Sequence, residues 1–348
     1  GLNPRRGKSS LVDSFTHLSS DEIPWNHTLV GWTGEITIPD NYTPPLTPPA
    51  TTLSSRYSSL NKSSAPIPVD VYSDPLESNH SEGLWITKDD MDRLEQQLGQ
   101  DKNFRILPVW LGDRSENPVN GLSLKDQAKW RLFAEHNLYT PFHYKQNEVN
   151  DAKVERQSWA DYYHMNQIFA SRILELYKPG DIVIMHDFHL LILPNMLRQL
   201  VPDMYISFFL HVPFPSSEIL RCLPRRREIL ACALGADLIG FQSPSIAAHF
   251  VSCCSRILGF SSDMTGVEAY GRKVTVGTFP IGINARAVEK AAFENPVIDK
   301  KVKALRSLYA GKKLIVGRDR LDTVRGVAQK LIAFERFLAD FPEWQGKV

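Results

Sequence analysis

DIVIMHDFHLLILPNMLRQLVPDMYISFFLHVPFPSSEILRCLPRRREILACALGADLIGF, residues 181–241, decides the fold. The runs IVIM and ISFFL read as two buried strands and LIGF as a third, because short apolar stretches bounded by polar residues suit the interior of a parallel sheet. Helical stretches lie between them, at 189–200, 216–221 and 225–234. Strands alternating with helices at this interval predict a parallel, doubly wound α/β sheet. The first two strands end in polar groups, His186-Asp187-Phe188-His189 and His211-Val212-Pro213-Phe214-Pro215. Ligands of open parallel sheets sit outside the carboxyl ends of the strands, so the apolar runs speak of fold and the residues capping them of function.

The same alternation extends outward. FRILPVWL (104–111) is a strand, and a long helix runs from about Asp151 to Tyr177 until Pro179-Gly180 stops it. Thr87 followed by Asp90 forms a capping box at the head of a helix that carries Leu94 and Leu98. Helix 244–258 leads into the hairpin-like VEAYGRKVTVGTFP (267–280). From Thr43 to Gly83, 20 of 41 residues are Ser, Thr or Pro, a composition that buries too little apolar surface to offset chain entropy and predicts a disordered insertion. The organisation expected is a first Rossmann-like domain over 1–284, a helical linker over 285–311, and the opening strand, loop and helix of a second domain over 312–348.

Length and composition limit the function. At 348 residues the chain suits two domains rather than one. Its 40 Lys and Arg against 39 Asp and Glu give no reason to expect nucleic acid or an anionic membrane as partner. No apolar run approaches the roughly 20 residues of a membrane-spanning helix. Four cysteines (Cys222, Cys232, Cys253 and Cys254) lie in apolar helical stretches without CxxC spacing, as reduced thiols of a cytoplasmic protein would.

Three groups carry candidate chemistry. GRDRLDTVRG (317–326) places Arg318, Arg320 and Arg325 between a strand and a helix start, where guanidinium forks and a helix N-terminus both attract phosphate. The alternative, an Arg320–Asp322 ion pair that braces the loop, stands equally at this stage. Asp187 and His211 suit sugar hydroxyls, or else close the strand ends by hydrogen bonding. His186, Asp187 and His189 are metal-ligand types, but neighbouring strand side chains point to opposite faces, so no metal or other cofactor is expected. Arg221, Arg225, Arg226 and Arg227 read as a solvated helix face.

MHDFHLLILPNMLR, FFLHVPFPSSEILRCLP, LGADLIGF, GRKVTVGTFPIGI and GRDRLDTVRGVAQKL together resemble the trehalose-6-phosphate synthase family, glycosyltransferases of GT-B architecture with two facing Rossmann-like domains. The match runs from about Trp130 to the C-terminus and is most like the N-terminal, synthase-like domain of fungal trehalose-6-phosphate phosphatases. The resemblance implies a donor, UDP-glucose, an acceptor, glucose 6-phosphate, and a diphosphate leaving group stabilised by preorganised positive charge. It places Arg320 and Arg325 at the diphosphate, and Trp32, Trp130, Tyr139, Asp187 and His211 around the sugars.

The departures from the family are chemical. Arg325 replaces a lysine, and Trp130 and Tyr139 exchange a tyrosine–tryptophan pair. The family's Ser-Asn-Arg strand end and Gly-Gly phosphate loop are missing near the N-terminus, and the second domain is cut short at Val348. The sequence therefore implies a catalytically inactive synthase-like domain that scaffolds or regulates a trehalose-synthesising complex through its other subunits. An active synthase and a sugar-phosphate sensor are the alternatives. No DxDx(T/V) motif occurs, so these residues do not carry the phosphatase chemistry.

Overall fold

A computed structural model of the chain describes residues 14–15, 17–18, 25–36, 84–99, 105–112, 121–124, 126–145, 151–322 and 324–348. The expected disordered insertion at 43–83 lies outside the described residues. Three sheets are present among them. The largest has the order β5-β6-β7-β10-β9-β8, built from β5 (Ile182–His186), β6 (Tyr205–Phe209), β7 (Leu238–Phe241), β8 (Ser261–Asp263), β9 (Gly266–Ala269) and β10 (Arg272–Thr278). β5, β6, β7 and β10 run parallel, while β9 pairs antiparallel with both β10 and β8, giving the expected hairpin. β1 (Thr28–Trp32) and β3 (Arg105–Val109) form a separate parallel pair, and β2 (Leu84–Thr87) and β4 (Gly121–Leu124) an antiparallel one.

Local chemistry sets the helices. α1 (Lys88–Gly99) starts at the capping box, where the Asp90 backbone N–H donates to Thr87 Oγ1 at 3.2 Å and Thr87 Oγ1 donates to Asp90 Oδ2 at 2.6 Å. α2 (Lys129–Leu132) runs on through a wide π-helical stretch at Phe133–Tyr139 and closes at Thr140–Phe142. α3 (Ala152–Leu174) is capped by Asp151 and buries Ser158, Tyr162, Met165, Asn166, Phe169 and Ala170, which recur at helical spacing along one stripe. α4 (Leu193–Leu200), α5 (Ser217–Leu220), α6 (Arg226–Ala233) and α7 (Pro244–Cys253) fill the crossovers between parallel strands.

Right-handed crossovers between successive parallel strands place such helices on one face of a sheet. The core follows from that: Met185, Ile206, Phe208, Ile239 and Phe241 are buried, whereas Ile182, Ile184 and Tyr205 are all more than half exposed. This corrects the sequence reading of β5 and β6 as strands covered on both faces. Met185 is the buried residue of β5, and Ile206 and Phe208 are those of β6.

Phe214 anchors the middle of the core, 1% exposed, with ring centroids 5.3 Å from Phe142, 5.2 Å from Phe250 and 6.3 Å from Phe241. At the opposite end of the sheet Asp237 gathers both Nη2 contacts of Arg198 at 2.8 Å, Arg272 at 2.9 Å and the Ile206 N–H at 2.8 Å. Arg225 and Arg226 are tied as well: Arg225 reaches Glu155 at 3.2 Å and lies over the Trp159 ring, and Arg226 donates to the Leu223 carbonyl. Arg227 donates to the Ile257 carbonyl. Arg226 and Arg227 thus hold backbone carbonyls and Arg225 a carboxylate of α3, while Arg221 stays exposed as expected of a solvated face. All four cysteines are free, and burial pushes the Cys232 thiol up to about 11 and the Cys253 thiol up to about 12.

Gly235 follows α6 where the chain crosses α4 closely enough that a Cβ would lie 2.4 Å from the Asn195 backbone nitrogen. Gly235→Ala is expected to destabilise the protein by about 1–3 kcal/mol, because backbone rather than a flexible side chain must give way. A urea midpoint equal to wild type would show instead that the turn swings clear of α4.

Residues beyond the sheet behave differently. α8 (Ala285–Phe293), α9 (Pro296–Leu308) and α10 (Val327–Asp340) contain no buried residue. The break between α8 and α9 falls at Asn295, whose side chain accepts from the Val297 N–H at 3.0 Å. The expected strand at 313–317 does not form: no described strand runs beside it, and its one backbone bond outside the helices joins the Lys313 N–H to the Lys347 carbonyl. Among the described residues, no helix is long and apolar enough to cross a membrane.

Candidate functional site at the carboxyl ends of β5 and β6

β5 and β6 finish in register, His186 opposite Phe209, and the Asp187 N–H extends the ladder by donating to the Phe209 carbonyl at 2.8 Å. Asp187 then turns at φ +72°, a conformation that an L-residue adopts only at a cost of order 1–3 kcal/mol. The turn is locked to α3. Tyr162 donates its hydroxyl to the Phe188 carbonyl at 2.7 Å, and the buried Asn166 amide donates to the His189 carbonyl at 3.1 Å. These bonds aim Asp187 at the β6 terminus, where its Oδ1 accepts from the His211 N–H at 3.3 Å. His186 Nδ1 and His211 Nε2 lie 3.1 Å apart.

Burial dominates the electrostatics of this floor. It raises the Asp187 carboxyl above its ordinary value, against hydrogen bonds from the Phe188 and His211 backbone and the nearby His211 and His143 rings. It lowers His186 to about 4, with His211 acting in the same direction, and it lowers His211 against the pull of Asp187. His189 also falls to about 4, through burial first and then Arg131 and Arg320. Near neutral pH the floor is thus one carboxyl among uncharged imidazoles.

α2 supplies the wall. The Tyr139 ring lies 5.6 Å from Phe188 and 4.2 Å from His143, whose Nδ1 donates to the Tyr139 carbonyl at 2.7 Å. Arg131 stands over the Trp32 ring at 5.6 Å and forms ion pairs with Glu35 and, at 3.0 Å, Glu135. Trp130 goes elsewhere: it is 3% exposed, its ring 5.8 Å from His164 of α3 and covered by the Lys129 ammonium at 4.6 Å.

The loop that precedes α10 closes the site. The Arg320 guanidinium lies over Tyr139 at 5.6 Å, and its Nε is 3.8 Å from Asp322 Oδ2. Asp322 Oδ1 accepts from the Arg325 N–H at 2.8 Å, and Gly326 takes φ +69° to start the helix. Burial raises the Tyr139 phenol, Asp322 raises it further, and Arg325 and Arg320 oppose them. Tyr139 Oη, Asp322 Oδ2, Arg131 Nε, Asn137 Oδ1 and Asn166 Oδ1 are buried without a hydrogen-bond partner, and all five sit on α2, on α3 or in this loop.

The structure therefore brings Trp32, Tyr139, Asp187, His211, Arg320 and Arg325 around one cleft and leaves Trp130 in the core beside His164. Both expectations for Arg320 meet here, since it pairs with Asp322 and also faces the site. Arg131, His143 and Asp322 were not singled out as site residues by the sequence reading. The heptapeptide from Tyr139 to Lys145 offered a signal for His143, an aromatic-rich run next to a predicted site tyrosine. Among the described residues no three His, Cys, Asp or Glu side chains converge as a metal would need.

Strand-end carboxyl and arginine loop thus face one another across the aromatic wall of α2, and comparison with known proteins specifies the family. The model of glycosyltransferase family 20 matches residues 58–348, and the chain belongs to that family. Its full length aligns with the trehalose-phosphatase of Saccharomyces cerevisiae at 37% identity, spanning 38% of that protein. It aligns with the UDP-forming α,α-trehalose-phosphate synthase of Schizosaccharomyces pombe at 42% identity, covering 76% of this chain and 50% of the relative. Among solved structures, the N-terminal domain of Candida albicans trehalose-6-phosphate phosphatase superposes with a TM-score of 0.64 at 47% identity, covering 74% of this chain and 53% of that one. A structure described as trehalose-6-phosphate from Escherichia coli bound with UDP-2-fluoro glucose superposes with a TM-score of 0.57 at 27% identity, over 68% of this chain and 53% of that one. The fold is accordingly GT-B, and the chain spans less than two-fifths of the length of the first of these relatives.

Proposed function

We propose that this chain is the synthase-like domain of a trehalose-phosphatase, catalytically silent and retained to scaffold or regulate a trehalose-synthesising complex. One observation carries the reading: the arginine loop is closed on the opposite wall. Arg320 covers Tyr139 and pairs with Asp322, while the Asp187–His211 floor below it stays formed. A guanidinium used this way still reads diphosphate when the loop opens, but it is not held at a reacting bond as electrostatic catalysis requires. The chemistry of the floor supports sugar binding, since Asp187 is an acceptor and the two neighbouring imidazoles offer both donors and acceptors. The finer assignments follow the resemblance: UDP-glucose or glucose 6-phosphate as ligands, other subunits of the complex as partners, and a cytoplasmic location.

The test is UDP release from UDP-glucose and glucose 6-phosphate, with binding of UDP followed by calorimetry. No turnover is expected. UDP is expected to bind, and Arg320→Ala to weaken it at least tenfold, about 1.4 kcal/mol, as the loss of a charge-assisted contact does. Turnover that disappears in Arg320→Ala would establish an active synthase instead. Binding without turnover supports the regulatory form of this reading, and neither binding nor turnover leaves a scaffold alone.

A further inference from the structure

We infer that Tyr144 is a positioning residue that ties the wall of this cleft to its floor, on the reading of the cleft as a carbohydrate site. Its backbone singles it out. Among the described residues three that are not glycine adopt positive φ: Asp187 in the floor, Tyr270 in the turn between β9 and β10, and Tyr144 at φ +60°. Asp187 turns at a strand end, and Tyr270 with Gly271 makes the two-residue hairpin turn that requires such angles. Tyr144 ends the last turn of the α2 stretch, where its N–H donates to the Pro141 carbonyl at 2.9 Å and the Lys145 N–H to the Thr140 carbonyl at 3.1 Å. Glycine is the usual residue at that point of a helix end, because an L-side chain there is strained. Strain that a glycine would avoid points to a task for the side chain.

That side chain spans two other elements. Its hydroxyl accepts the Ser216 N–H at 3.0 Å and lies 3.3 Å from His249 Nδ1 of α7, the nitrogen that donates to the Phe214 carbonyl at 3.1 Å. Ser216 directly precedes α5 and closes the segment that starts at His211. Pro213 and Pro215 fix two φ angles in that segment, so a shift at Ser216 is carried back to His211 rather than absorbed. His211 in turn donates its N–H to Asp187. On the other side Tyr144 follows His143, whose ring lies 4.2 Å from Tyr139. One hydroxyl therefore fixes where Tyr139 and His143 of the wall stand relative to Asp187 and His211 of the floor. The Phe142–Phe214 ring contact joins the same two segments inside the core, but rings can slide on one another where a directed N–H···O bond cannot.

The experiment is native-state amide exchange by NMR on the full 348-residue chain, with UDP-glucose and UDP binding measured beside it. Tyr144→Phe keeps the ring and removes the hydroxyl. It is expected to speed exchange of the Ser216 amide and of the His211 amide by about tenfold, with the Met185 and Ile239 amides unchanged. Tyr144→Gly relieves the helix end as well, and the same rise at His211 is expected although the strain is gone. UDP-glucose affinity should fall about tenfold in Tyr144→Phe and UDP affinity should hold, because on this reading the floor holds the sugar and not the nucleotide. Faster exchange confined to Ser216 and the helix end, with His211 at the wild-type rate, overturns the inference, since the hydroxyl is then a local cap. A uniform rise that includes Met185 and Ile239 overturns it as a general loss of stability. So does a wild type that binds UDP-glucose while Tyr144→Phe binds it equally well, or loses UDP in the same proportion. If neither ligand binds the wild-type chain, the carbohydrate reading of the cleft fails, and the exchange rates still decide whether Tyr144 links wall to floor.

Discussion

Phe214→Ala is expected to destabilise the protein by about 3–5 kcal/mol, the range for deleting a fully buried phenyl ring from a core that cannot collapse into the space. The ring is 1% exposed and meets Phe142, Phe241 and Phe250, each contributed by a different element. It also lies between Pro213 and Pro215 in the segment that connects His211 to α5, where its carbonyl accepts from His249 Nδ1 at 3.1 Å. Cavity and loop are therefore coupled: the backbone that holds His211 against Asp187 is the backbone that the ring pins. A chemical-denaturation midpoint shifted at unchanged slope would report the stability loss. Weaker sugar binding by Phe214→Ala, well below its unfolding midpoint, would report the loosened strand end. A loss under 1 kcal/mol would mean that the four-ring cluster closes without Phe214.

The strand ends were readable because two independent rules converge on them. Apolar runs of four or five residues identify buried strands, and the polar residues that follow, His186, Asp187 and His211, fall where parallel sheets bind ligands. Asp187 and His211 meet for that reason. Capping chemistry is local, so Thr87 with Asp90 could be read directly. Position along α2 was not readable in the same way. The π-helical stretch at Phe133–Tyr139 widens the turn and changes which residues share a face, so Trp130 enters the core while Tyr139 reaches Phe188. A spacing of nine residues carries no mark of that widening. Long-range pairing hides similarly. Arg131 meets Trp32 and Glu35 from almost a hundred residues away, and Arg225 finds Glu155 across 70 positions. The outward faces of β5 and β6 were missed because composition alone cannot separate a strand covered on both faces from one covered on a single face. The run at 313–317 has a strand's composition, yet a strand exists only with a neighbour to bond.

Acidification should weaken this protein well before its carboxylates protonate in bulk, and the buried imidazoles set the window. His186 and His189 are each lowered to about 4 in the folded chain, mainly by burial, against 6.5 when exposed. Between those values the unfolded chain binds protons that the folded chain excludes, so stability rises with pH there and is fully present only above about 6.5. Each such group contributes a slope of at most about 1.4 kcal/mol per pH unit, so the pair approaches about 2.7. Asp187 acts in the opposite sense. Its raised carboxyl keeps a proton in the folded state that the unfolded chain releases, which favours folding on the acid side and tempers the fall toward its lower end. The partial exposure of His186 tempers it further through solvent screening. The net expectation is a loss of about 2–3 kcal/mol between pH 6.5 and 5, measured as denaturation midpoints across that range. His189→Gln keeps a polar side chain but cannot be protonated, and it should remove that residue's share of the slope, at most about 1.4 kcal/mol per pH unit, while its own cost appears equally at pH 7.5. Identical slopes in wild type and His189→Gln would mean that the His189 ring takes up its proton in the folded state, and that the floor of the cleft is wetter than its burial implies.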